Sequence, residues 1–276
     1  MKFNKDIKNN ICFLVSTFDE REKFLSPFFY FYKKFIGSEL RVYLAKGDNH
    51  FSCDEDVDIK QLNFSLPRSN RNLGLCSSWG KRLKLAIEQI KRDGFSYTVF
   101  TCDDGWIRYL DADRFSILLE MMKKYDCDRI QLIETSPGYI LEKIDECASL
   151  ISTSSDVPWY LNHQTSIWRT DSLYNVINQN DCATESEMIG SKRCKDLNYK
   201  FLVLNRPLIL SSGVNHSVDG LYDYGKEMLK EFCCEKGLSY FKYYKKFRIS
   251  ISNKIVNDIK SLIIKIIRKL NHVRHK

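Results

Sequence analysis

The chain has 276 residues, 43% hydrophobic and 28% charged, an ordinary globular composition with length for a sizeable core and no low-complexity linker or internal repeat. No run approaches the roughly 18 apolar residues of a membrane span, residues 1–10 lack the apolar segment of a secretory signal, and ten cysteines without a C-x-x-C pair point to reduced thiols in a cytosol. The net charge of +8 is uneven: from Lys242 onward eleven Lys/Arg face the single acid Asp258, a local +10 that leaves the first 241 residues at −2.

In chain order, Ile11–Val15 reads as a buried strand, and Ser16 or Thr17 is placed to cap an aromatic-rich helix over residues 22–36. Leu40–Ala45 is the next strand, ended by Lys46-Gly-Asp48, and the acidic stretch from Cys53 closes in a short apolar segment at Asn63. Trp79, Leu83, Ala86, Ile87 and Ile90 share one face at spacings of three and four, which predicts a helix over 79–91.

Tyr97–Cys102 is a strand that runs straight into Asp103, Asp104 and Gly105. Two adjacent carboxylates are costly to bury unpaired, so a strand that delivers them usually delivers them to an edge or a cleft. Two hard oxygen donors there suit Mg²⁺ or Mn²⁺ held with the help of substrate phosphates; Asp-Asp-Gly is equally good turn chemistry. Asp111 or Asp113 then caps a helix with Phe115, Leu118, Leu119 and Met122 on one face, and Arg129–Ile133 is a fourth strand. Strands alternating with helices predict an α/β fold with a mostly parallel sheet flanked by helices, and ligands of such sheets bind at the carboxyl ends of the strands. Ser16-Thr17, Lys46–Asp48 and Asp103-Asp104 all fall at such ends.

Past residue 135 the alternation decays. Ser149–Asp156 reads as a Ser/Thr-rich loop, His163–Arg169 as a half-buried mixed segment, and Ser172–Ile177 as the start of a helix. Residues 184–193 are polar and carry Glu185 and Glu187; Lys200–Leu204 and Leu208–Leu210 are strands; the loop from Ser212 to Gly220 holds His216. Near the end, Ile255, Ile259, Leu262, Ile263, Ile266, Ile267 and Leu270 form one helical stripe, with Lys254, Lys260, Lys265, Arg268 and Lys269 largely off it. A basic amphipathic helix of this kind reads as an anchor on an anionic membrane surface; packing on the domain or on a partner subunit is the alternative. Nucleic acid is not expected as a partner, because the aromatics Tyr240, Phe241, Tyr243, Tyr244 and Phe247 precede the helix rather than interleave with its charges. The division implied is a domain over 1–235 and a basic helical tail over 236–276.

Four segments, in order, carry a resemblance: Phe13–Arg21; Asn72-Leu-Gly74 leading into Trp79–Leu83; the strand ending at Asp103-Asp104; and Gln164–Trp168 followed by Glu187–Ser191. Together they resemble nucleotide-sugar glycosyltransferases of the GT-A type, and more narrowly the bacterial enzymes of surface polysaccharide assembly (capsule, lipopolysaccharide, O-antigen). The resemblance implies a GT-A-like, Rossmann-like fold over roughly residues 10–220 and transfer of a sugar from a nucleotide-sugar donor to a glycan or lipid-linked acceptor. A protein working there would be cytoplasmic and peripheral at the inner face of the membrane.

The resemblance also implies roles. GT-A enzymes usually carry Asp-x-Asp, whereas this chain has Cys102-Asp103-Asp104. Cys is a poor Mg²⁺ ligand, so Asp104 becomes the first ligand for a divalent metal, Mn²⁺ or Mg²⁺, with His216 as the second; an exposed loop histidine is the alternative for His216. Asp103 would act at the reacting donor or bind its ribose or sugar hydroxyls. Glu187 is the candidate general base, with Glu185 as its rival. Ser16, Thr17 and Glu20 would lie at the nucleoside, and Arg71 with Lys81 or Arg82 at the diphosphate. Trp79 and Trp168 read as core or pocket wall. A non-catalytic GT-A-like adaptor at the membrane is the alternative function, supported by the missing first Asp.

Overall fold

The sheet at the centre of this protein follows from its run of short apolar strands. The computed structural model describes residues 3–17, 19–47, 49–64, 79–134, 139–153, 160–216 and 220–247, without the side chains of Asp19, Glu20, Thr184, Leu210, Ser212, Asn215 and His216. The chain divides into two compact units, residues 1–212 and 213–276.

In the first unit, α1 (Lys5–Asn10), capped by the Asn4 side chain, leads into β1 (Ile11–Ser16). A 3₁₀ stretch (Asp19–Phe24) and α2 (Leu25–Phe35) follow, then β2 (Val42–Lys46), β3 (Ile59–Asn63), α3 (Trp79–Arg92) and β4 (Tyr97–Cys102). Beyond a two-residue turn come β5 (Gly105–Leu110), α4 (Ala112–Ser116) and α5 (Leu118–Tyr125). The rest is β6 (Arg129–Gln131), β7 (Leu141–Lys143), β8 (Ala148–Ile151), β9 (Ser166–Arg169), α6 (Thr170–Val176), α7 (Ala183–Asp196), β10 (Phe201–Leu204) and β11 (Ile209–Gly213).

Nine of the described strands form one mixed sheet in the order β3-β2-β1-β4-β9-β6-β10-β8-β7, and β5 pairs with β11 in a separate ribbon. The half from β3 to β4 is parallel, so the carboxyl ends of β1, β2 and β4 lie along one edge. β9 runs antiparallel to both β4 and β6. Its amino end, with residues 163–165 just before it, therefore arrives at that same edge. The expected α/β architecture with helices against a central sheet is present, and the antiparallel strands come from the region where the sequence alternation decays.

Strand side chains alternate between faces. On one face Cys12, Leu14, Tyr43, Phe100, Trp168 and Phe201 pack against the buried stripe of α3, whose Trp79, Leu83, Ala86, Ile87 and Ile90 are all in the core as expected. On the other, Phe13 meets Tyr32 of α2 edge-on at 5.0 Å between ring centroids and stacks on Phe115 of α4 at 6.5 Å. Gly80 permits the start of α3 to lie against the following loop: a Cβ there would sit 2.0 Å from the Asn178 carbonyl oxygen.

Several local expectations are corrected. Thr17 does not cap a helix over 22–36, because its hydroxyl bonds to Asp103 and the chain passes through a 3₁₀ stretch before α2 begins at Leu25. The predicted helix after Asp111, which does cap it, breaks at Ile117 into α4 and α5. The stretch read as a loop from Ser149 contains most of β8, whose Ser149 and Leu150 pair with Val203 and Leu202 of β10.

In the second unit, β12 (Asn215–His216) and β13 (Gly220–Leu221) form an antiparallel pair, followed by α8 (Asp223–Glu235) and α9 (Tyr240–Tyr244). Phe232 of α8 meets Tyr243 of α9 at 5.4 Å between ring centroids. The basic amphipathic stripe of residues 254–270 lies outside the described residues. Among the described residues, no helix is long and apolar enough to cross a membrane.

Candidate active site

The parallel half of the sheet brings the ends of β1 and β4 side by side, with Ser16 opposite Cys102. The backbone N–H of Asp103 donates to the Ser16 carbonyl at 3.2 Å, which extends the ladder by one residue and turns the Asp103 side chain inward. Asp103 and Asp104 then form the tight turn into β5. Both readings of Asp-Asp-Gly hold together here, since the segment is a turn and it concentrates charge.

Asp103 is only 1% exposed, and both its oxygens are engaged. Thr17 Oγ1 donates to Oδ2 at 2.5 Å, and Arg21 Nε reaches Oδ1 and Oδ2 at 2.8 and 2.9 Å. Arg21 Nη2 bridges Asp103 Oδ1 at 2.6 Å and Asp104 Oδ2 at 2.9 Å. Asp104 is 23% exposed, and its Oδ1 has no partner among the described residues. Burial pushes the Asp103 carboxyl up to about 6, against the pull of Arg21 and Thr17 and with the help of Asp104. Burial disfavours the Arg21 charge, yet the two carboxylates hold that guanidinium well above its ordinary value.

Arg21 is itself fixed. Its guanidinium lies 4.5 Å from the centre of the Phe24 ring. The Phe24 carbonyl in turn accepts from Trp106 Nε1 at 3.2 Å, which ties the 3₁₀ stretch to β5. Nearby at the end of β2, the fully buried Lys46 donates to Glu22 at 2.6 Å and to the Asn49 carbonyl at 3.0 Å.

The opposite wall comes from the segment before β9. Thr101 and Thr165 hydroxyls meet at 2.9 Å, and the Cys102 thiol points at the His163 carbonyl at 3.9 Å. Burial holds that thiol well above its ordinary value. The His163 ring sits 4.7 Å from Trp79 and 5.5 Å from Phe100 between centroids, and its Nε2 donates to the Ala183 carbonyl at 3.2 Å. Burial lowers its pKa to about 3, so this ring is neutral at physiological pH.

The backbone N–H of His163 donates to Glu187 Oε1 at 3.0 Å, which ties α7 to the same wall. Burial raises the Glu187 carboxyl, with the His163 N–H and the buried Arg129 pulling it back. Glu185 is occupied otherwise: it closes a capping box with Cys182, accepting from the Cys182 N–H at 3.2 Å. Of the two acids, only Glu187 turns toward His163. Arg129 lies deeper, its Nη2 on Asn162 Oδ1 at 2.5 Å and Ser166 Oγ at 2.8 Å, with Trp168 and Phe201 rings on the flanking strands.

No family model matches the chain, and no curated protein matches it in sequence. Solved structures do match. Residues 1–349 of S. aureus TarS in complex with UDP align over 85% of this chain and 68% of that one, with a TM-score of 0.50 at 14% identity. The chain has the GT-A fold. The same TarS segment in complex with UDP-GlcNAc aligns with a TM-score of 0.43 at 13% identity, over 85% and 69% of the two chains. A Desulfovibrio desulfuricans G20 protein described as a nucleotide-diphospho-sugar transferase aligns at 0.38 and 9% identity, over 70% and 79%.

In this GT-A fold, Ser16, Thr17, Asp103, Asp104 and Glu187 gather at one sheet edge. Glu20 lies in the 3₁₀ stretch, with its side chain outside the description, and Arg71 lies outside the described residues altogether. Lys81 is exposed on α3 and Arg82 is buried beside it, while Trp79 and Trp168 are core residues. His216 belongs to β12 in the second unit, and only its backbone is described.

Sequence reasoning passed over Arg21 and His163. Arg21 closes the Phe13–Arg21 segment, so a cation one loop beyond β1 was the available signal. Nothing in the sequence set His163 apart.

A divalent ion shared by both carboxylates does not fit them as arranged. Mg²⁺ would need their oxygens at about 2.0–2.1 Å, where the Arg21 guanidinium already bridges both groups. Among the described residues, no three His, Cys, Asp or Glu side chains converge to hold a metal.

Proposed function

We propose that this chain is a glycosyltransferase that moves a sugar from a nucleotide-sugar donor to a hydroxyl of a glycan or lipid-linked acceptor in surface polysaccharide assembly. The observation that carries the reading is that the His163 segment is bound on one side by Cys102, next to the Asp103–Asp104 turn at the carboxyl end of β4, and on the other by Glu187, on a GT-A sheet whose TarS counterpart was solved with UDP. Ligands of open α/β sheets bind at that edge.

In this reading Ser16, Thr17 and Glu20 lie at the nucleoside, and the outward oxygen of Asp104 accepts a ribose or sugar hydroxyl. Asp103 acts through Arg21 and Thr17, since both its oxygens are engaged. Lys81, Arg82 and Arg71 are the cations available to the diphosphate. In an inverting transfer the acceptor hydroxyl gives its proton to Glu187 as its oxygen attacks the anomeric carbon. The bond from that carbon to the phosphate oxygen breaks, and the nucleoside diphosphate leaves with the electron pair. Burial raises the Glu187 carboxyl toward the working pH, as a general base requires. The stripe over residues 254–270 would hold the protein on anionic lipid at the cytoplasmic face of the membrane.

The test is release of nucleoside diphosphate from a panel of UDP-, GDP-, CMP- and dTDP-sugars in the presence of glycan acceptors. Asp104→Ala should abolish the release while the protein stays folded. Full activity in that variant rejects the site, and no turnover of any donor favours an adaptor.

A further inference from the structure

The Asp103–Asp104 turn already contains a cation. We propose that Arg21 is the resident counter-ion of this pair, in the position a divalent metal would need, and that the chain binds its nucleotide-sugar donor without such an ion. The second half rests on the donor reading above; the first half stands on geometry alone.

Three features hold the guanidinium in place. Its Nε and Nη2 make a forked contact with Asp103 at 2.6–2.9 Å, and Nη2 reaches on to Asp104 at 2.9 Å. Such planar, bidentate pairing is strong, and an arginine cannot relieve it by losing its proton. Thr17 holds the far oxygen of Asp103 from the end of β1, so the carboxylate cannot rotate toward solvent without breaking that bond. Phe24 lies against the guanidinium, and its carbonyl is pinned by Trp106 of β5. Arg21, in the 3₁₀ stretch, is thus held between the end of β1 and the β4–β5 turn.

A metal reaching both carboxylates would have to displace this guanidinium from both of them and from the Phe24 ring. It would also meet Asp103, which is 1% exposed and has no spare oxygen. The Cys102 thiol, in the position where a carboxylate would otherwise help, points at the His163 carbonyl at 3.9 Å and offers only a soft sulfur. The cluster of one guanidinium and two carboxylates leaves a single outward oxygen, Asp104 Oδ1. That oxygen suits a hydroxyl donor from a ribose or a sugar.

The experiment is a titration of the full chain with Mn²⁺, followed by electron paramagnetic resonance of the free ion, with and without UDP. The wild type should leave the free-ion signal unchanged. Arg21→Gln, which removes the cation and frees both carboxylates, should bind Mn²⁺ at least about tenfold more tightly, and adding Asp104→Asn should abolish that gain. Stoichiometric Mn²⁺ binding by the wild type, lost in Asp104→Asn, overturns the proposal even if Arg21→Gln fails to fold. Calorimetry with UDP should give the same Kd in chelator as in Mn²⁺. Binding only with Mn²⁺ overturns the metal-independent half. Absence of binding by UDP, GDP, CMP or dTDP and by their sugars under both conditions rejects the donor reading and that half with it, while the Mn²⁺ titration still decides the role of Arg21.

Discussion

Replacing Arg21 with Gln removes the only basic side chain that touches Asp103 among the described residues, and the cost can be worked from the site. Removing one partner of a buried ion pair costs about 3–5 kcal/mol, because the other charge is left without compensation. Arg21 keeps 26% of its side chain in solvent, so screening puts the loss near the lower end, about 3 kcal/mol. For a chain of this length that is a fall of about 6–12 °C in melting temperature.

The loss has a pH dependence with a definite sign. In the wild type, burial sets the Asp103 carboxyl at about 6 and Arg21 restrains it from going higher. Because this folded value is raised, the stability linked to Asp103 is fully present below the unfolded carboxylate pKa of about 3.9 and is lost as pH rises through about 6. Without Arg21 the folded value rises further, so in the window just above about pH 6 the folded variant keeps a proton that the folded wild type loses. The variant should therefore regain stability relative to wild type as pH falls through that window, by up to about 1.4 kcal/mol per unit. Melting curves of both proteins from pH 5.5 to 8 measure this. A deficit under about 1 kcal/mol, or one that stays constant across the range, refutes the buried ion pair.

Glu187→Gln should lower the transfer rate by about 10²–10⁴ with the fold intact, whereas Glu185→Ala, which opens the capping box, should cost about 1 kcal/mol of stability and leave the rate unchanged well below melting; equal rate losses in steady-state kinetics would remove the distinction drawn by the capping box. Gly80→Ala forces a methyl group onto the Asn178 carbonyl and should destabilise by more than about 2 kcal/mol, read by chemical denaturation; a neutral result would mean that the loop at 178–181 does not press on α3. The full chain should sediment with vesicles containing anionic phosphatidylglycerol and not with neutral phosphatidylcholine, and added salt should release it; equal recovery with both lipids removes the case for the basic stripe.

How much of this was legible in the sequence depended on how local each feature is. The stripe from Trp79 to Ile90 and the strand into Asp103 are visible because their signals lie within a single element. β8 was hidden because Ala148–Ile151 is short and runs straight into Ser152-Thr-Ser-Ser155, and its strand character comes from pairing with β10, some fifty residues on. β5 was hidden because Asp-Asp-Gly reads as the end of a strand rather than a turn between two. Thr17 has the chemistry of a helix cap, and only the arrival of Asp103, 86 residues later, shows what its hydroxyl bonds to. Arg21 was missed for the same reason, since its meaning lies in an ion pair across 82 residues. The capping box at Cys182 could have been read from spacing alone had Cys been weighed as a cap, and it separates Glu185 from Glu187.

The central claim is that the edge formed by β1, β4 and the His163 segment receives a nucleotide sugar. The direct measurement is the thermal shift of the full chain across a panel of UDP-, GDP-, CMP- and dTDP-sugars. One class should stabilise the wild type by about 2.7 kcal/mol at a hundredfold excess over its Kd, and Asp104→Ala should lose that shift. No shift with any donor, or a shift that survives Asp104→Ala unchanged, would contradict the account.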